Sequence, residues 1–173
     1  MKNIFYLLFL FFTLVSCKKE EAKHVVVAKE PVTTAAFVGT NNNGIYKVTD
    51  IDVVKRKWNI YINKKLKPKD SIVLQQFSIV KTISKGDTIE ECYLLTARAE
   101  KQNVTIGTTL SLKDGKFYTD LKQNSGFKTY EVLICDGVCG KTICNPEVVI
   151  AGGSKRLICS SCDECAKISG SVD

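Results

Sequence analysis

From residue 45 onward, apolar and polar residues alternate in short runs broken by turn-forming pairs, and no stretch holds a long amphipathic helical spacing. Ile45 to Val54 predicts a strand, as does Trp58-Asn59-Ile60-Tyr61-Ile62, where Trp58, Ile60 and Ile62 recur at every second position. Ser71 to Ser84 has a cap-like Asp70 or Ser71 before it and Gly86 after it, as a helix would. Its Ile72, Val73, Ile79, Val80, Thr82 and Ile83 are β-branched, however, and favour a strand. Thr88 to Arg98, which carries Cys92, reads as a further strand. The clearest local signal is Thr108 to Lys113, then Asp114-Gly115, then Lys116 to Asp120. Asp-Gly supplies the positive φ angles of a type I′ turn, which sets Lys113 against Lys116 and Leu112 beside Phe117. Tyr130, Val132 and Ile134 alternate up to Cys135. The expected fold is mainly β: an antiparallel β-sandwich or an open barrel, ending in a cysteine-rich, disulfide-stapled C-terminal hairpin.

That hairpin is predicted from two apolar runs, Glu147-Val148-Val149-Ile150 and Lys155-Arg156-Leu157-Ile158, flanking Gly152-Gly153-Ser154. Six of the chain's eight cysteines lie around it, in two groups: Cys135, Cys139 and Cys144, then Cys159, Cys162 and Cys165. With Gly152-Gly153-Ser154 as the loop, Ala151 opposes Lys155, Glu147 opposes Cys159 and Cys144 opposes Cys162. The expectation is at least one disulfide between the groups, Cys144 to Cys162 or a near neighbour first. Pro146, which cannot donate to the ladder, leaves room for a register shift.

The compartment decides whether such cysteines oxidise, and the first residues bear on it. Lys2 gives a short positive start, and Ile4 to Val15 is an apolar run below the roughly 20 residues needed to span a bilayer. It ends in Leu14-Val15-Ser16-Cys17, which resembles the lipobox of bacterial lipoproteins. The resemblance implies cleavage before Cys17 and attachment of a diacylglyceryl group to its thiol, with palmitate among the expected chains. Each buried methylene of such chains contributes about 0.8 kcal/mol of membrane attachment. The following Lys18-Lys19-Glu20-Glu21 is similar to the charged signals of surface-exposed lipoproteins of the Bacteroidetes, which implies an outer-membrane anchor, surface-exposed rather than periplasm-facing.

Residues 1–16 are therefore expected to be a signal peptide and 17–43 the lipidated cysteine with a flexible tether, in which Val25 to Val27 and Phe37-Val38 are early strand pieces. Residues 44–134 form the β domain and 135–173 the cysteine-rich segment packed on it, about one domain in all. The sole histidine, His24, falls in the tether, without a partner for metal binding. The net charge of +7 is concentrated in Lys55-Arg56-Lys57 and in Lys64, Lys65, Lys67 and Lys69. A basic face suits anionic headgroups or an anionic surface polymer, or simply keeps loops solvated. No nucleic-acid-binding pattern accompanies it.

Three chemistries compete with structural disulfides for the cysteines. A zinc site would use Cys135, Cys139, Cys159 and Cys162, whose pairs stand nineteen residues apart, close to zinc-ribbon spacing. An iron-sulfur cluster would use Cys159, Cys162 and Cys165, but the fourth cysteine of that pattern is missing. Thiol-disulfide exchange through Cys159-Ser160-Ser161-Cys162 or Cys162-Asp163-Glu164-Cys165 lacks a following helix, and Asp163 and Glu164 oppose thiolate formation. Loop-closure entropy favours bridges between the groups over bridges within them. Hydrolysis has no support: there is no GxSxG, and the adjacent Glu90 and Glu91 point to opposite faces of a strand. The sequence thus reads as a non-enzymatic, lipid-anchored envelope protein that binds or scaffolds an envelope protein or anionic polymer, with no cofactor. The alternative is a zinc-binding or thiol-redox protein using the cysteine cluster. Lipidation at Cys17 leaves an odd cysteine, expected to be a buried, reduced Cys92.

Overall fold

Hydrogen-bonded strands begin at Phe37 in a computed structural model of the chain, which describes residues 35–99, 101–124 and 127–172. In chain order they are β1 (Phe37–Asn42), β2 (Ile45–Val48), the helix α1 (Asp52–Leu66), β3 (Leu74–Ile83), β4 (Lys85–Gly86), β5 (Glu91–Ala99), β6 (Val104–Lys113) and β7 (Lys116–Thr119). Then follow β8 (Leu121–Asn124), β9 (Phe127–Asp136), β10 (Val138–Cys139), β11 (Thr142–Ile143), β12 (Pro146–Ala151), β13 (Ser154–Cys159) and β14 (Ala166–Val172). Phe37-Val38 is indeed the start of a strand, within the stretch expected to be tether. The helical and strand residues fall in one compact unit, Val32–Asp173, which spans both the expected β domain and the cysteine-rich segment.

The main sheet runs β14-β9-β6-β7-β1-β2, with β5 on the other side of β6, β3 beyond β5, and β8 against β9. Its pairs are antiparallel, so the expected mainly β, antiparallel class is the one observed. β6 is the joint: Val104 to Gly107 pair with β9, while Leu110 to Lys113 pair with β7. β2 comes alongside β3, curling that end into an open barrel filled by Tyr46, Tyr93 and Phe117, whose rings lie 5.1–5.7 Å apart. The Asp114-Gly115 turn is as predicted, with φ of 51° and 72°, and it pairs Lys113 with Lys116 and Leu112 with Phe117.

The strand expected at Trp58 to Ile62 is instead the middle of α1, and Ile45 to Val54 is strand only to Val48. Trp58 and Ile62 fit both readings, being two positions apart on a strand face and one turn apart on a helix. Ile60 separates them: alternation requires it inside, and it is 64% exposed. The buried set is Val54, Trp58 and Ile62, a spacing of four. Asp52 in the first turn and Lys64 and Lys65 in the last match the helix dipole, Lys67 closes the helix in a left-handed conformation, and Pro68 prevents its continuation. Asn59 and Asn63, one turn apart, then clamp the chain entering β3. Asn63 accepts from the Ile72 amide and donates to the Ile72 carbonyl, both at 2.8 Å, and Asn59 accepts from the Leu74 amide at 2.8 Å.

The β9 pleat explains the layering. Tyr130, Val132 and Ile134 face α1, where the Trp58 indole donates to the Tyr130 hydroxyl at 3.2 Å and packs with Ile62, Leu74, Ala97, Ile106 and Val172. Leu133 and Cys135 face the opposite way, into a second core with Cys92, Leu94, Val148, Ile150 and Leu157. The cover on that second face is the β12–β13 hairpin, to which β4 adds a short parallel edge.

The hairpin exists as predicted, but one residue out of register. Its loop is Gly152-Gly153 alone, both in the left-handed region at φ 56° and 71°, so Ala151 faces Ser154. Pro146 opposes Cys159 and Glu147 opposes Ile158, rather than Glu147 opposing Cys159. Two glycines suffice for a type I′ turn, and Ser154 joins the ladder. The ladder ends at Pro146 and Cys159, short of both Cys144 and Cys162, so its register does not carry through to them.

Candidate functional site

β12 and β13 leave their ladder at Pro146 and Cys159, and beyond it backbone and side chains both hold the chain. The Ser160 amide donates to the Asn145 carbonyl at 2.9 Å, and the Asn145 amide donates to the Ser160 hydroxyl at 2.9 Å, closing the hairpin's open end. From there the two segments part. Residues 136–145 form the small β10–β11 hairpin, and residues 160–165 turn so that β14 can pair with β9, Ala166 against Asp136 and Lys167 against Cys135. The 160–165 turn therefore lies over the 136–145 loop. At Gly137, φ is 125° and the Glu164 carbonyl sits where a Cβ would stand, so a side chain there would force the two segments apart.

All three disulfides join the groups, in matching order: Cys135 to Cys159, Cys139 to Cys162 and Cys144 to Cys165, with Cα atoms 5.6–5.9 Å apart. The favoured Cys144 to Cys162 pair is not among them. Extending a hairpin ladder would give nested pairing, first of one group with last of the other. The return of β14 to β9 lays the loops side by side instead, and the pairing runs in sequence order. Bridges of sequence separation 21–24 each restrict the unfolded chain. The first contributes about 3.5 kcal/mol by loop entropy, and the later ones less, because the first has already shortened their loops.

The bridges differ in surroundings. Cys135 and Cys144 are fully buried, whereas Cys139, Cys159, Cys162 and Cys165 are half-buried. A shallow cleft whose lining includes Cys159, Ser160, Cys162, Asp163, Cys165 and Lys167 opens the turn to solvent. Within it the second and third bridges touch: the sulfurs of Cys139, Cys144, Cys162 and Cys165 all lie within 4.8 Å of one another. Cys165 Sγ is 3.3 Å from Cys139 Sγ and 3.1 Å from Cys162 Sγ. The sequence reading grouped Cys135, Cys139, Cys159 and Cys162 as the alternative zinc set. The fold sends Cys135 and Cys159 to the sheet face and brings Cys144 and Cys165 in their place. The signal for that was present in the spacings Cys139-x4-Cys144 and Cys162-x2-Cys165, both within the chelating range.

Cys92 is the free cysteine among the described residues, and it is buried as expected. Burial pushes its thiol pKa up, with nearby Lys155 opposing and Glu90 adding to the rise. Lys155 pairs with Glu90 at 3.2 Å across the hairpin edge, and Glu91 pairs with Lys81 on the other side of the strand, so the adjacent carboxylates do diverge. No histidine occurs among the described residues; His24 and Cys17 lie outside them. No described helix is long and apolar enough to cross a membrane. In comparison with known proteins, no family model, no curated protein and no solved structure matches this chain.

Proposed function

We propose that the chain is a lipid-anchored protein of the bacterial cell envelope, held by Cys17 in the outer membrane and surface-exposed, with a non-enzymatic binding or scaffolding role. The observation that carries the reading is the complete pairing of six cysteines into three bridges between distant segments, an arrangement that belongs to an oxidising compartment. Export requires a signal, which residues 1–16 supply, and the lipobox-like Leu14-Val15-Ser16-Cys17 adds an anchor at Cys17. The outward face of α1 supports a binding role at an anionic surface: Arg56, Lys64 and Lys65, followed by Lys67, are exposed, with Ile60 between them.

Fractionation tests the reading. Cys17→Ser is expected to move the protein from the membrane fraction to the soluble one and to change its apparent mass. Membrane association and apparent mass unchanged by that substitution would reject the anchor. The four-sulfur cluster favours a second reading, metal binding by the reduced cysteines.

A further inference from the structure

We propose that Cys139, Cys144, Cys162 and Cys165 form a redox-gated site for one tetrahedral, thiolate-bound zinc ion. Zinc held by four cysteines has Zn–S distances of about 2.3 Å, which places the sulfurs about 3.8 Å apart in a regular tetrahedron. Here the four sulfurs already lie within 4.8 Å of one another, with contacts of 3.1 and 3.3 Å between unbonded atoms. Opening two bonds and spreading the sulfurs by less than an atomic diameter makes the site.

The balance is simple. Two equivalents of a dithiol reductant transfer two electrons to each disulfide, giving four cysteine thiols and two oxidised reductant molecules. Zinc then displaces four protons as it binds four thiolates. Oxidation by a disulfide oxidant reverses the order: two cystines re-form, four electrons leave with the oxidant, and the ion is released. Lys167 lines the cleft and favours thiolates, but Asp163 lines it too, so the metal itself supplies most of the charge that deprotonates the thiols.

The backbone keeps the ligands in place when the two bridges open. The Cys144 amide donates to the Gly137 carbonyl at 3.1 Å, the Cys165 amide to the Cys162 carbonyl at 3.2 Å, and the Gly137 amide to the Asn103 carbonyl at 2.9 Å. The Thr105 hydroxyl donates to the Cys144 carbonyl from the sheet below. Cys135 to Cys159 is a separate support outside the four-sulfur cluster, with Cys135 fully buried under the hairpin. The site does not depend on the anchor: failure to bind metal would leave the envelope reading standing, and fractionation of Cys17→Ser tests that reading separately.

The test uses the full chain in detergent, oxidised or anaerobically reduced with a phosphine, titrated with Co2+ and then with competing Zn2+. The reduced chain is expected to bind one Co2+ with the thiolate charge-transfer and visible bands of a tetrahedral sulfur site, and the oxidised chain none. Zinc should bleach the bands, and reoxidation should release the zinc to a chromophoric chelator. Cys162→Ser should weaken binding by more than about a hundredfold, the upper range for losing even an outer-shell partner. The double variant Cys135→Ser, Cys159→Ser should keep the bands. Circular dichroism of each reduced protein checks that the sheet persists. Bands that survive Cys162→Ser, bands lost in the Cys135/Cys159 variant with its sheet intact, or a reduced wild-type chain without its sheet would each overturn the proposal.

Discussion

The two faces of the central sheet are covered in different ways. On one, α1 delivers Trp58, Val54 and Ile62 into a core that also takes Leu74, Ile106, Val132 and Ile134. On the other, the β12–β13 hairpin contributes Val148, Ile150 and Leu157, and the cover beyond it is loop, half-buried cysteine and short turns. The first face is held by apolar area removed from water, the second by covalent closure where too little such area is available. The redox state of the surroundings therefore acts on one half of the molecule and leaves the other alone.

Trp58→Ala gives the largest effect expected. Removing a fully buried indole should lower the unfolding free energy by about 3–5 kcal/mol in denaturant titrations, by the same amount with and without reductant. A loss confined to oxidised protein would mean that the helix face depends on the bridges. The double variant Cys135→Ser, Cys159→Ser should cost about 2–3 kcal/mol more under oxidising conditions than in reductant, where only the side-chain change at the buried Cys135 remains. Equal losses in both conditions would show that packing, rather than loop closure, gives this pair its value.

A smaller effect belongs to Cys92. The folded chain holds a proton that the unfolded thiol releases at its ordinary pKa, so stability is complete below that value and falls as pH rises above it. Cys92→Ala should flatten that part of the fall seen by fluorescence between neutral and alkaline pH. Native Cys92 should also alkylate slowly, and rapid labelling at neutral pH would show that the second core opens readily. The smallest effect is that of Ile60→Ser, expected within about 0.5 kcal/mol of wild type because the residue projects into solvent. A cost near that of Trp58→Ala would put Ile60 inside and return the segment to an alternating strand.

What the sequence made legible follows the range of the interaction that decides it. Asp114-Gly115 specifies its turn through two residues' own φ preferences, and the hairpin there is read to the residue. Gly152-Gly153 specifies a turn equally well, but whether Ser154 belongs to loop or ladder depends on the facing strand, and the one-residue error came from that. Trp58 and Ile62 satisfy both periodicities, and only the exposure of Ile60, a tertiary fact, chooses between them. The cysteine partners were least legible. Cys139 meets Cys162 because β14, which follows both, pairs with β9, which precedes both. No local pattern around either cysteine records that strand pairing.

The order of the three bridges has a consequence for how the molecule matures. No bridge joins cysteines adjacent in sequence: Cys135, Cys139 and Cys144 all wait for partners that follow Cys144. A chain threaded across a membrane from its N-terminus would present Cys135, Cys139 and Cys144 to an oxidant before Cys159 has emerged. Oxidation in order of arrival would trap Cys135 with Cys139, or Cys139 with Cys144, and the native set would be reached only by thiol-disulfide exchange through mixed intermediates. For a chain exported in this way, correct assembly would depend on an isomerase as well as an oxidase, or on oxidation held back until β14 has docked, which would make that strand the proofreader of the covalent framework.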